Sequence, residues 1–324
     1  MSQDLNNTVN GTLPSNCYWN LTAEKIGLTF AYCLIFLVSL AGNTVIGMII
    51  YKTKTMRKPI NFFIVNMAMS DLLFPIFLIP GDITLLYKNS WLIGGPLGQA
   101  LCKFVAFSPY VSLSVSIQSL VLIAVDRFGA VVYPLGSPLV SSKLCPFFIL
   151  VTWIVAMAIN FPYLLAYKRV EYPAGLRCTL QWNEAFGESS SYENYYVSWS
   201  VIFVFIPLLL ITILYITIYI KLKLQKIPGE QPANARQQRQ QRERNVLKMS
   251  ISIVLGFAVC WLPIVIHWLL FFFVSDVWPC GFRYFAFVAF FMARINCAIN
   301  PYICFIFSRN YRIGLKTLLF KTTA

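Results

Sequence analysis

Seven long apolar stretches dominate the pattern of hydrophobic and polar positions along this chain of 324 residues. Each is long enough to cross the ~30 Å hydrocarbon core of a bilayer, which takes roughly 20 helical residues. The stretches are Ile26–Tyr51, Ile60–Tyr87, Gln99–Tyr133, Leu144–Tyr167, Tyr195–Leu224, Val246–Val274 and Gly281–Phe307. The pattern therefore predicts an all-α membrane protein built as a bundle of seven transmembrane helices.

Polar segments before, between and after these stretches complete the predicted organisation. Residues 1–25 form a tail, residues 26–307 the seven-span domain, and residues 308–324 a cytoplasmic amphipathic helix with a short tail. The helix follows from the mixture of polar and apolar residues between Ser308 and Leu319, which suits a membrane surface. Two connecting segments are long, namely the acidic, aromatic residues 168–194 and the polar residues 225–245.

The composition excludes several classes of protein. Only 12% of the residues are charged, about half the fraction that a soluble domain needs to cover its surface. Aromatic residues make up 16% of the chain. Disordered segments contain few aromatic residues, so the composition also excludes a disordered protein. His267 is the one histidine in the sequence, which excludes metal sites with several histidines and argues against a Ser-His triad. We therefore do not expect an enzyme.

The net charge of +14 reflects topology and not a nucleic-acid partner. Most lysine and arginine residues lie on one alternating set of connecting segments, and most acids lie on the other set. Basic loops stay cytoplasmic, so the N-terminus is expected outside the cell and the C-terminus inside it. We therefore expect a multi-pass protein of the plasma membrane, whose spans contact membrane lipid. Three N-x-Ser/Thr sequons in the tail, at Asn6, Asn10 and Asn20, agree, because such sites are glycosylated on the lumenal side.

Polar residues inside membrane spans are costly and are functional candidates by default. In order of the spans, these motifs are Gly42-Asn43; Asn66 with Asp71; Asp126-Arg127-Phe128; Trp153 with Pro162; Pro207 with Tyr215; Phe257 with Cys260-Trp261-Leu262-Pro263; and Asn296 with Asn300-Pro301. This order resembles the rhodopsin-like (class A) G-protein-coupled receptors. The stretch Ser114–Leu135, with Trp91 and Cys102 before it, is most similar to the neuropeptide-receptor branch.

The resemblance implies a receptor that binds an extracellular ligand and activates a heterotrimeric G protein by outward movement of the sixth span, with arrestin as a further possible partner. The residues that match the family's G-protein coupling and lock positions are Asp126, Arg127, Phe128, Glu243 and Tyr215. The residues that match its packing switch are Ile117, Pro207, Phe257, Trp261 and Pro263. In the family, Arg127 would pair with Glu243 across the bundle. The alternative is that Glu243 is a solvated acid between two arginines.

The family also places a sodium ion beside the carboxylate that matches Asp71. Oxygen atoms from Asn43, Ser116, Asn296 and Asn300 would converge there with it. The alternative is a hydrogen-bonded polar core without sodium. Apart from this allosteric ion, we expect no metal and no cofactor.

The resemblance pairs Cys102 with Cys178 in a disulfide that holds the second extracellular loop over the ligand site. A further bridge between Cys17 and Cys280 is possible, because both are expected outside the membrane, where disulfides persist. A departure from the family stands on the seventh span, where Cys304 replaces the usual tyrosine. Either Tyr302 compensates for it or the active state is less well held.

Two residues, Pro109 and Arg294, narrow the class of ligand, because other branches of the family carry different residues at the matching positions. Pro109 stands where amine receptors carry an aspartate, and Arg294 stands where opsins carry the lysine that binds retinal. A guanidinium forms no imine. A peptide remains. Arg294 needs an acidic partner inside the membrane, and Asp82 is the candidate. The pair is either a fixed link between helices, or Arg294 binds an anionic or carbonyl group of the ligand.

The expected ligand is a short cationic, amidated peptide, because Glu184, Glu188 and Glu193 lie among aromatic residues of the second extracellular loop. The expected ligand-binding residues are Tyr110, Leu113, Trp261, Ile264, His267, Trp268, Phe290, Arg294, Asp82 and Glu184. One alternative is that the glutamate cluster is merely a solvated loop. Others are a class A receptor for a non-peptide ligand, and a decoy or scaffold that binds without signalling. A transporter or channel is disfavoured, because the deep polar groups stop at Asp71.

Overall fold

The computed structural model describes residues 21–88, 90–133, 139–173, 175–224, 233–274 and 280–320. Within these residues, seven helices are long and apolar enough to cross a membrane. These spans are Thr22–Lys52, Pro59–Lys88, Gly95–Val132, Cys145–Ala166, Tyr192–Leu224, Arg244–Phe273 and Gly281–Phe307. The predicted seven-helix architecture is confirmed, and the spans lie within a few residues of the apolar stretches.

Helices are the natural solution for these sequences, because lipid offers no partner for backbone polar groups and a helix satisfies them internally. The α-helices are α1 Leu21–Lys52, α2 Pro59–Asp71, α3 Ile79–Lys88, α4 Gly95–Val132, α5 Cys145–Ala166, α6 Trp182–Phe186, α7 Tyr192–Ser200, α8 Ile206–Leu224, α9 Ala233–Phe273, α10 Cys280–Phe307 and α11 Arg309–Phe320. Large apolar side chains such as Phe30, Leu209 and Leu255 are exposed on the outer faces of the spans. Polar side chains such as Asn43 and Asp71 are buried inside the bundle.

Two spans contain a π-helical turn that the hydrophobic pattern did not predict. Phe74–Leu78 joins α2 to α3 in the second span, and Val201–Phe205 joins α7 to α8 in the fifth. Pro75 lies within the first of these turns, and Pro207 follows the second by two positions. Proline removes a backbone donor and disturbs the regular ladder of helical hydrogen bonds. Such turns change which side chains face the bundle on either side of them.

A β-hairpin follows the fourth span, in the segment that the sequence predicts only as a long loop. Strand β1 is Tyr167–Tyr172 and strand β2 is Gly175–Leu180, and they pair antiparallel with Val170 opposite Arg177. A disulfide joins Cys178 of β2 to Cys102 of α4, with a Cα–Cα distance of 5.5 Å. The predicted disulfide is therefore confirmed, and it fixes the hairpin over one end of the bundle, which we call the hairpin end.

At the opposite end, α11 packs its apolar side against the first two spans. The Tyr311 hydroxyl donates to Asn61 Oδ1 at 3.1 Å, and burial raises the pKa of this phenol well above its usual value. Gly314 lies so close to the first span that an added Cβ would approach Ile49 Cγ2 to 2.5 Å. The amphipathic helix predicted after the seventh span is therefore present.

Several expectations fall outside the described residues. The sequons at Asn6, Asn10 and Asn20 and the residue Cys17 are among them, as are the side chains of Glu243 and Cys280. The second disulfide and the predicted domain limits thus stay predictions. Five of the described cysteines form no disulfide: Cys33, Cys145, Cys260, Cys297 and Cys304. Cys33 differs from the other four in being exposed.

Candidate functional site: an aromatic cavity linked to a polar core

A cavity of about 190 Å³ opens between the spans at the hairpin end. Its walls come from the second, third, fifth, sixth and seventh spans and from strand β2. The aromatic lining residues are Phe74, Trp91, Tyr110, Tyr167, Tyr196, Trp199, Trp261, Trp268 and Phe290. Large aromatic surfaces with few polar groups are typical of ligand pockets.

Most of the predicted ligand residues line this cavity. They are Asp82, Tyr110, Leu113, Trp261, Ile264, Trp268, Phe290 and Arg294. His267 does not, because its ring is buried away from the cavity and stacks on Phe282 at a centroid distance of 4.7 Å. Glu184 does not either, since it is exposed outside the cavity and forms an ion pair with Lys168. For these two residues the structure corrects the expected position.

The predicted pair of Arg294 and Asp82 is present in the cavity wall. Arg294 Nε donates to Asp82 Oδ2 at 2.6 Å, and Nη2 donates to Oδ1 at 2.9 Å. The third nitrogen donates to the Phe290 carbonyl at 2.9 Å, and the Tyr32 ring centroid lies 5.5 Å from the guanidinium carbon. A bidentate pair of this kind neutralises both charges and fixes their orientation.

The sequence did not identify three further residues of the cavity wall, Tyr196, Trp199 and Arg177. Tyr196 and Trp199 lie three residues apart on α7 and share one helix face. Trp199 Nε1 donates to Asn160 Oδ1 at 3.1 Å, and the Asn160 amide donates to Ser114 Oγ at 2.9 Å. Asn160 thus links the third, fourth and fifth spans beside the cavity. Arg177 also lines it, and its position next to the disulfide residue Cys178 was a usable signal.

Trp261 lies at the cavity and packs onto the core of the bundle. Its ring lies 6.3 Å from Phe74, edge to face, and 6.3 Å from Phe257 on the same helix. Phe257 and Ile117 are fully buried in the same apolar core. The predicted switch residues Pro207 and Pro263 lie in the fifth and sixth spans. A ligand in the cavity would therefore touch a side chain that packs directly on the core.

Below this core lies Asp71, which is fully buried. Ser116 Oγ donates to Asp71 Oδ1 at 3.3 Å, and Asn300 Nδ2 donates to Asp71 Oδ2 at 2.8 Å. Asn43 does not join this group through its amide nitrogen, which donates instead to the Cys297 carbonyl at 2.8 Å. Asn296 is buried one helical turn before Asn300 on the seventh span, and the described hydrogen bonds to Asp71 do not include one from it. Two of the four expected partners thus contact the carboxylate.

At the end opposite the hairpin, Arg127 Nε donates to Asp126 Oδ2 at 3.0 Å. Both side chains are largely buried. The Phe128 ring packs edge to face on Tyr133, and Tyr215 is buried in the fifth span. The expected bond from Arg127 to Glu243 stays a prediction, because the acid's side chain lies outside the described residues.

The substituted position on the seventh span is filled by a buried thiol. Cys304 is fully buried and borders a small internal gap with Asn43, Met67 and Asn300. Tyr302 is 52% exposed on the outer surface. In this structure, then, Tyr302 does not supply an inward hydroxyl in place of the usual tyrosine.

Comparison with known proteins agrees with this architecture. The family model described as 7 transmembrane receptor (rhodopsin family) matches residues 42–303. The substance-P receptor of Mus musculus is 31% identical over 96% of this chain and 75% of its own length. The RYamide receptor of Drosophila melanogaster is 31% identical over 95% of this chain and 66% of its own length. The QRFP-like peptide receptor of Branchiostoma floridae is 34% identical over 74% of this chain and 63% of its own length.

The polar motifs that follow one another along the spans, the confirmed disulfide and these matches lead to one assignment. The chain is a multi-pass membrane protein that belongs to the rhodopsin family of G-protein-coupled receptors, signalling receptors and not enzymes, and it is related to neuropeptide receptors.

Proposed function

We propose that this chain is a plasma-membrane receptor that binds a peptide on the outside of the cell and activates a heterotrimeric G protein inside it. The observation that carries the proposal is the aromatic cavity with Trp261 in its wall, at the end of the bundle away from Arg127. The distribution of basic loops supports a cytoplasmic location for Arg127 and for α11.

The proposed ligand is a short peptide with a cationic side chain beside an aromatic one. Glu188 and Glu193 are exposed near the hairpin end, where carboxylates steer a cation toward the cavity. Glu184 contributes less than expected, since Lys168 already neutralises it. The aromatic walls suit both cation–π and stacking contacts. The names of the related substance-P, RYamide and QRFP-like peptide receptors support the peptide class.

The proposed mechanism couples the two ends through the sixth span. A ligand that presses on Trp261 changes its packing on Phe257. Pro263 removes one backbone hydrogen bond from the same helix, which makes the helix easier to bend there. The inner end of the span then moves outward and exposes Arg127 to the G protein. Packed cores respond to such contacts by switching between discrete arrangements. Arrestin would bind the same opened end.

Sodium is proposed as an allosteric ligand at Asp71. Carboxylate, hydroxyl and amide oxygens are the donors that hard cations prefer, and Asp71, Ser116 and Asn296 supply them. Asn43 Oδ1 is a further buried oxygen that has no hydrogen-bond partner among the described residues. An ion held there would link the second, third and seventh spans and favour the closed arrangement. The alternative is the hydrogen-bonded network alone, with Asn300 on the carboxylate.

The test is a screen of short peptides on cells that express the receptor with a G-protein dissociation sensor. Peptides with Arg or Lys beside an aromatic residue should activate it, and their neutral counterparts should be weaker. The Arg127→Ala variant is the control, since it keeps the cavity and loses G-protein contact. Activation by lipids or uncharged small molecules alone would contradict the peptide proposal.

A second candidate function is a receptor that binds its ligand without signalling. The observation that favours it is the buried Cys304, with Tyr302 facing outward. A thiol is a weak hydrogen-bond partner for holding the active state. Peptide binding without any G-protein dissociation, across all G-protein subtypes, would support this candidate.

A further inference from the structure

Arg177 is held at a fixed place in the cavity wall. It precedes Cys178, whose disulfide bond attaches strand β2 to α4. Its neighbour on the other side, Leu176, accepts a hydrogen bond from the Trp91 backbone nitrogen at 2.6 Å. A disulfide and a backbone hydrogen bond therefore hold the residues on either side of Arg177. The Arg177 side chain itself lines the cavity.

The Arg177 guanidinium forms no ion pair with any residue that the structure describes. Its Nε and Nη1 atoms are buried and have no hydrogen-bond partner among the residues that the structure describes. Arg294 in the same wall differs, since Asp82 accepts two of its hydrogen bonds. The charged residues of the described lining are Asp82, Arg177 and Arg294. Because Asp82 is committed to Arg294, the half-buried Arg177 is the one positive charge of the described lining without an acidic partner there. Leaving its two buried N–H groups without an acceptor is costly.

Two further N–H donors in the cavity wall are buried without a hydrogen-bond acceptor among the described residues. They are the indole nitrogens of Trp91 and Trp261. The Trp91 backbone bonds to Leu176, the neighbour of Arg177, and Trp261 lies on the sixth span. The buried, unpaired side-chain atoms of the described lining are thus N–H donors in each case. Such a wall is complementary to a ligand that presents acceptor oxygens.

We infer that the ligand of this cavity carries a carboxylate that pairs with Arg177. The inference rests on the proposed receptor function and names the chemistry of the ligand's inner end. A guanidinium holds a carboxylate through two parallel hydrogen bonds, and this fixes orientation as well as charge. The cationic side chain of the peptide then lies at the rim near Glu188 and Glu193. The inference replaces the amidated end expected from the sequence, since an amide brings no negative charge.

The carboxylate can come from the C-terminus of the peptide or from an acidic side chain. Three probes separate these sources without knowledge of the natural ligand. N-acetyltryptophan has a terminal carboxylate, its amide has none, and N-acetyl-aspartyl-tryptophan amide has a side-chain carboxylate. Their affinities are measured on the purified full-length receptor in lipid nanodiscs, without G protein.

We expect the better of the two acidic probes to bind about tenfold or more tightly than N-acetyltryptophan amide. In Arg177→Gln the acidic and amide probes should bind about equally, because the positive charge and the paired N–H donors of the guanidinium are lost. Arg177→Lys should keep part of it, because the charge remains. The matched control is Arg169→Gln, which removes a charge from β1 outside the cavity lining and should leave the preference intact. Binding of the amide probe shows that each variant is folded.

Three results would overturn the inference. The first is equal binding of the acidic and amide probes to the parent receptor, and the second is a preference that Arg177→Gln leaves unchanged. The third is a tenfold gain in affinity for the acidic probe in a variant with Asp4→Asn and Asp276→Asn, because these acids outside the described residues would then be the partner of Arg177. Since no G protein is involved, each of these failures is distinct from a failure of peptide-driven signalling.

Discussion

Arg294 and Asp82 form a bidentate ion pair between the seventh and second spans, with nitrogen–oxygen distances of 2.6 and 2.9 Å. Their side chains are only 12% and 14% exposed. Both line the cavity, so the pair joins two helices at the place where the ligand is proposed to bind. Each residue alone would be an unpaired charge in a low-dielectric setting.

Removing one partner should therefore cost more than removing both. We expect Asp82→Ala or Arg294→Ala to lower the free energy of unfolding by about 3–5 kcal/mol, the usual effect of leaving a buried charge unpaired. The double variant should recover part of this loss. Thermal unfolding of the purified receptors measures the coupling in a double-mutant cycle. Additive losses would show that the pair is no fixed link, and would favour the alternative in which Arg294 serves the ligand.

The sequence predicted this pair because helical spacing places residues along a span. Asp82 follows Asp71 by eleven residues, and Arg294 precedes Asn300 by six, or about 9 Å. It did not separate His267 from Trp268, because neighbours on a helix point about 100° apart and either could face inward. The hairpin and the π-helical turns were missed, since they depend on the disulfide, on proline and on packing. Arg177 was missed although it precedes Cys178, because the sequence did not predict the hairpin that brings its side chain to the cavity.

The proposed lock between Arg127 and Glu243 is tested by basal signalling. Glu243→Ala removes the partner from the sixth span, so the inner end should open more often and ligand-free G-protein activation should rise several-fold. Glu230→Ala is the matched control, because it removes an acid from the same connecting segment outside the family's motif. Basal activity equal to that of the parent, at matched surface expression, would favour the solvated-acid alternative.

The sodium proposal predicts a salt effect that is specific to one cation. The parent receptor should unfold at a higher temperature in sodium chloride than in N-methylglucamine chloride of equal concentration. At ten times the dissociation constant, the gain in stability would be about 1.4 kcal/mol. Asp71→Asn should abolish the difference between the two salts. A parent receptor that is indifferent to sodium would leave only the hydrogen-bonded core.

The two extracellular cysteine pairs should behave differently. Cys102→Ser or Cys178→Ser frees the hairpin from α4, so surface expression and ligand binding should both fall steeply. Cys17→Ser and Cys280→Ser should have smaller effects that match each other and do not add in the double variant. Cys33→Ser, at an exposed and unpaired position, is the control. Unequal effects of Cys17→Ser and Cys280→Ser would argue against their bridge.

The rim acids are expected to act on the rate at which the peptide arrives. Glu188 and Glu193 are exposed, whereas Glu184 is held by Lys168. Reversing the first two to lysine should slow association of the activating cationic peptide about tenfold or more at low salt and flatten its dependence on ionic strength, because steering works through the long-range field. Glu184→Lys alone should have a smaller effect, because it reverses one charge and not two. The association rate is measured by stopped flow or on a biosensor between 20 and 500 mM salt. Over this range the Debye length falls from about 20 to about 4 Å. If Glu184→Lys slows association as much as the reversal of Glu188 and Glu193, steering depends on Glu184 despite its ion pair with Lys168. If none of the three matters, the acidic segment is only a solvated loop.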